Sequence, residues 1–186
     1  KINLYPFGGY IIFNEGLNRP IKEELFIVIM GPIFQMMFYI ICLVMFKFEF
    51  ISINTFYQIK NYHYSILIFN LLPIFPLDGS KIINLLLSKN ISYKNSHKSM
   101  IYISYIFLLI VFYYQFKIQN NVNLLLIAIL LLTKVIEENK NYNNIYNKFI
   151  LERYLKNINF KQLKILKNDN LKDMFRDKKH VFLKNN

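Results

Sequence analysis

The chain has no tryptophan and a single cysteine among its 186 residues. Cys42 lies in an apolar run, so no intrachain disulfide framework is possible. Acidic residues are scarce, 11 Asp and Glu against 23 Lys and Arg, which leaves a net charge of +12. A nucleic-acid binder would spread such charge over a folded basic face. Here 13 of the basic residues follow Thr133 and the apolar runs hold few, so no nucleic-acid partner is expected. The first twenty residues lack an apolar core followed by small residues, the pattern of a signal peptide. There is no internal repeat, the expected mark of many small transporters. No H-E-x-x-H pair occurs, and no two of His63, His97 and His180 are four apart. Each histidine reads as a solvated side chain.

What is present is apolar length. Hydrophobic residues make up 54% of the chain and the mean hydropathy is +0.26. Four stretches stand out: Leu25–Phe46, Tyr64–Leu77, Met100–Phe116 and Val122–Thr133. The first has 22 residues without a charge, enough to cross about 30 Å of hydrocarbon. The second and fourth are short. Lys and Arg counts nevertheless alternate across the connecting loops in a way consistent with four spans and an inside C-terminus. We therefore expect an all-α polytopic membrane protein of about four segments. Residues 1–24 form a short β-hairpin turning at Gly8-Gly9, followed by an entry segment. Residues 25–136 form the membrane core and 137–186 a polar, basic, cytoplasmic tail. "NRPIKEE" opens a helix, with Pro20 and the pair Glu23–Glu24 suited to its first turn. "KHVFLKN" reads as a short strand.

One stretch does not suit a passive lipid-facing helix. "NLLPIFPLDG" places Asn70, Pro73, Pro76 and Asp78 within nine residues of an apolar run. A carboxylate at membrane depth needs a metal, a basic partner or water. The competing reading is Asp78 as the N-cap of a following helix. Pro73 and Pro76 remove two backbone donors and break the helix, which membranes tolerate where the backbone lines a cavity. Asn70 can then hydrogen-bond freed backbone or an extended peptide. Together the four residues read as a site. Gly31-Pro32 in the first stretch reads as a packing kink.

"NLLPIFPLDGSKI" resembles the third metal-ligand motif of the site-2 protease family, integral-membrane zinc metalloproteases. "LYPFGGYIIFNEGLNRPIKEELFIVIMGPIFQ" and "ILERYL" resemble segments of its sporulation branch. The resemblance implies that Asp78 is a zinc ligand and that Asn70, Pro73 and Pro76 shape the substrate site. It implies an H-E-x-x-H helix, with its general-base glutamate, ahead of the P-F-G-G segment, so no catalytic residue is expected within this chain. The expectation is the C-terminal part of a protease that cleaves a membrane-tethered regulatory precursor, such as a pro-sigma factor, beside membrane regulatory partners in the bacterial cell membrane. The alternatives are a pseudoprotease or non-catalytic scaffold that binds the same partners, and a small transporter.

Overall fold

The computed structural model describes residues 2–5, 8–11, 16–119, 122–156, 158–160, 162–166 and 171–182, the first two segments as backbone. Strands β1 (Ile2–Tyr5) and β2 (Gly8–Ile11) pair antiparallel, with Tyr5 opposite Gly8. Gly8 and Gly9 therefore lie in a strand, not in the turn expected of them. Residues 6 and 7 lie outside the described residues.

Helix α1 (Ile21–Lys47) has Glu23 and Glu24 in its first turn, where the helix dipole favours negative charge. Pro32 sits inside it without ending it, because one missing donor removes only one rung of the ladder. The helix stops where Glu49 turns left-handed at φ 62 and its N–H reaches Phe46 O at 3.0 Å. Helix α2 (Ile53–Leu71) starts from a cap in which Ser52 Oγ accepts from Thr55 N–H at 3.3 Å. It packs against α1 through stacked rings: Phe46 on Phe56 and Tyr39 on His63, both at 4.3 Å. The second apolar stretch, Tyr64–Leu77, is thus the end of α2 plus a non-helical segment.

Helix α3 (Asp78–Ser88) is short and packs between α1 and α4 (Tyr93–Tyr114). A π-helical turn (Gln115–Gln119) follows α4. Helix α5 (Val122–Leu155) has 34 residues, about 51 Å at 1.5 Å per residue, and runs unbroken through residue 136. Strands β3 (Gln162–Leu166) and β4 (Lys178–Phe182) form a parallel pair, so the strand read in "KHVFLKN" is present. The buried core joins Ile74 to Met100, Ile101 and Leu108 of α4 and to Leu131 and Val135 of α5.

Among the described residues two helices, Ile21–Lys47 and Tyr93–Lys117, are long and apolar enough to cross a membrane. Four were expected. Helix α2 carries Asn54, Gln58, Lys60, Asn61 and His63, and α5 is apolar only in its first half. Helix α1 leaves Phe26, Phe34 and Phe38 more than 60% exposed.

Candidate active-site region

Between Leu71 and Asp78 the helical path is broken. Pro73 and Pro76 cannot donate to a helical ladder, and each biases the residue before it away from helix. The break is not loose. Ile74 is fully buried in the core, and its N–H donates to Leu72 O at 2.8 Å. Leu77 N–H donates to Ile74 O at 2.8 Å. Phe75 N–H, freed from any helix, donates to Ser104 Oγ on α4 at 3.0 Å. The Ser104 hydroxyl in turn donates to Met100 O at 2.9 Å. One serine thus accepts from the break and donates to its own helix, using both capacities of a hydroxyl.

Asp78 opens α3. Its side chain makes no capping hydrogen bond, and the cap position is Leu77. The reading of Asp78 as an N-cap is therefore set aside. The carboxylate instead faces α1: a Cβ placed on Gly31 would lie 3.4 Å from Asp78 Oδ2. Lys81, one turn along α3, holds its ammonium 3.5 Å from Asp78 Oδ1. Gly79 brings the start of α3 onto the end of α2. A Cβ there would stand 2.1 Å from Leu71 O and 2.5 Å from Leu72 O. Ser80 then closes the turn, its hydroxyl donating to Leu77 O at 2.8 Å. Asn70 lies in the last turn of α2, and Asn70, Pro73, Pro76 and Asp78 are all half-buried around the break.

No histidine joins them, and none of the three is the solvated side chain expected. His63 is buried in the α1–α2 seam against Tyr39, with Gln35 Nε2 donating to its carbonyl at 3.0 Å. His97 is buried on α4 with Nε2 3.1 Å from Glu138 Oε1 on α5. His180 lies on β4, where its Nε2 accepts from Phe175 N–H at 2.9 Å. An imidazole stacks as readily as a benzene ring, so polar neighbours in sequence did not keep these rings in water. Among the described residues no three His, Cys, Asp or Glu side chains converge. Asp78 is a single donor, and these residues alone do not make a zinc centre.

The sequence model of Peptidase family M50 matches residues 49–111, which hold α2, the break, α3 and most of α4. Stage IV sporulation protein FB of Bacillus subtilis is 34% identical over 155 residues, 83% of this chain and 54% of that protein. The chain belongs to peptidase family M50. Zinc metalloprotease MJ0392 of Methanocaldococcus jannaschii is 35% identical over 101 residues, 53% of this chain and 29% of that protein. This M50 chain therefore spans about half the length of the first relative and under a third of the second.

Within the M50 segment, sequence reading missed the packing role of Gly79 and the anchoring role of Ser104; ahead of that segment, it took Gly31 for a packing residue only. Ser104 had a signal. Ser96, Met100, Ser104 and Leu108 recur every four residues on α4 and all are buried, so a polar residue on a helix's inward stripe marked a partner across the core. Gly31 and Gly79 had none, because the atoms they make room for belong to other elements.

Proposed function

We propose that this chain is part of an intramembrane zinc metalloprotease that cleaves a membrane-tethered regulatory precursor, with a pro-sigma factor as the substrate class. The observation that carries the reading is Asp78. A carboxylate starts a helix directly after a break anchored on α4, and it faces Gly31, the one position of α1 without a side chain. Membership of family M50 and the names of the two relatives support the chemistry. In that reading Asp78 supplies one oxygen ligand to zinc, and the half-buried Asn70, Pro73 and Pro76 shape the substrate site around the break. Zinc, when bound, polarises the peptide carbonyl and lowers the pKa of water. The remaining ligands and the general base come from an H-E-x-x-H helix that is not among the described residues.

The exposed phenylalanines of α1 and the two long apolar helices support a place in the cell membrane, and the basic tail supports a cytoplasmic C-terminal side. Membrane regulatory partners belong to the same reading. The test uses the chain joined to an H-E-x-x-H segment. Asp78→Ala should abolish cleavage of a membrane-tethered precursor and lower the bound zinc measured by elemental analysis, while membrane insertion is kept. Wild-type cleavage in Asp78→Ala would remove the ligand role. Absence of cleavage and zinc in the unsubstituted protein would favour a non-catalytic scaffold.

A further inference from the structure

The four residues Met174–Asp177, far from the helix break in sequence, hold the ends of three helices together. Met174 O accepts from Tyr93 N–H at the start of α4, at 2.9 Å. Phe175 O and Arg176 O accept from the guanidinium of Arg153 in the last turn of α5, the first at 2.6 Å. Arg176, only 4% exposed, pairs with Glu24 and donates from Nε to Arg19 O at 3.2 Å. The Asp177 carboxylate accepts from Ile21 N–H at 2.9 and 3.2 Å. Helix α1 has Pro20 at its cap position and no capping side chain of its own. Its first turn is therefore capped from 156 residues away.

These helix ends are the far ends of the frame around Asp78. Gly31, which faces the carboxylate, is ten residues along α1 from Ile21, about 15 Å by helical rise. Ser104, which holds the break, is eleven residues along α4 from Tyr93, about 17 Å. Helix α3 is tied to α4 by Ser88 Oγ and Ser96 Oγ at 2.8 Å. One side of the carboxylate thus belongs to α1, the other to the α3–α4 unit, and the same short segment clamps both.

We propose that Met174–Asp177 is a strap that sets the gap between α1 and α3 at Asp78. Whatever engages or releases the tail then opens or closes the approach to that carboxylate. The strap acts on geometry and holds whether or not Asp78 binds metal, so its test is independent of protease activity. Arg176 and Asp177 are positioning residues.

The full chain in detergent, with Cys42→Ser, is spin-labelled at Ile27 on α1 and Leu86 on α3, both of them exposed positions. Arg176→Ala/Asp177→Ala should lengthen and broaden the distance by at least roughly 2 Å, the scale of helix shifts between packed elements. Asp177→Asn retains an acceptor for Ile21 N–H and should stay near the starting distance. Should the double variant lose helix by circular dichroism, Glu24→Gln, which removes only the carboxylate paired with Arg176, should give a smaller change of the same sign. An unchanged distance in the folded double variant, or in Glu24→Gln where it replaces that variant, overturns the proposal.

Discussion

At Gly79 and Gly31 the absence of a single methyl group serves two different ends. A Cβ on Gly79 would stand 2.1 Å from a backbone oxygen, which cannot rotate away. Gly79→Ala should therefore destabilise the chain by roughly 1–3 kcal/mol, the usual cost of overpacking, and lower the thermal midpoint in detergent. A Cβ on Gly31 meets only the Asp78 carboxylate, at an ordinary 3.4 Å. Gly31→Ala should leave that midpoint nearly unchanged. Equal effects at the two positions would contradict the packing described. Ser104 makes a third residue-scale case. Ser104→Ala strands the N–H of Phe75 away from α4, a loss of about 1–3 kcal/mol for a buried unpaired donor. Thermal unfolding reads it, and a midpoint equal to wild type would mean that water replaces the serine.

Among the elements, the C-terminal pair of strands is held by electrostatics more than by apolar burial. Leu163 and Ile165 of β3 remain exposed. The contact runs instead through Arg153, whose guanidinium lies 4.6 Å from the centre of Phe149 and 4.5 Å from that of Phe160. His180 Nδ1 sits 3.1 Å from Arg153. Burial, then the charges of Arg153, Lys164 and Lys178, push its pKa down to about 4. A lowered histidine value means that the unfolded chain takes up the proton first. The docked strands should therefore hold steady above about pH 6.5, weaken as pH falls through the window from there to about 4, and level off below it. Amide hydrogen exchange along Lys178–Phe182, corrected for the intrinsic pH dependence of exchange, should show falling protection across that window. In His180→Gln the pH dependence should be much smaller; an equally steep profile would assign the effect to another group.

For the whole molecule, the proposed orientation follows from charge, and the helix boundaries sharpen where to test it. Helix α5 continues to Leu155, so a reporter fused after Leu155 samples the basic side beyond the helix and should read cytoplasmic. One placed at Phe50, between α1 and α2, should read external. Opposite readings at both positions would overturn the orientation. The length of α5, about 51 Å, exceeds a hydrocarbon core of about 30 Å. Its second half therefore stands beyond any span made by the first, which is where the strap meets it.

Much of this was written in the sequence. Apolar length marked α1 and α4, because a helix that is hydrophobic on all sides needs no partner to be recognised. The two prolines marked the break, since a missing N–H acts locally. The motif around Asp78 was legible through its resemblance to a family, a likeness carried by adjacent residues. Tertiary structure alone decided the rest. The histidines were taken for solvated residues because burial depends on Tyr39, Glu138 and Arg153, which lie far along the chain. The cap of α1 was invisible because its carboxylate belongs to Asp177. Gly31 and Gly79 are small for the sake of atoms on other elements. Sequence determines what a segment can do with its own backbone; which side chain finds which partner is settled when the helices pack.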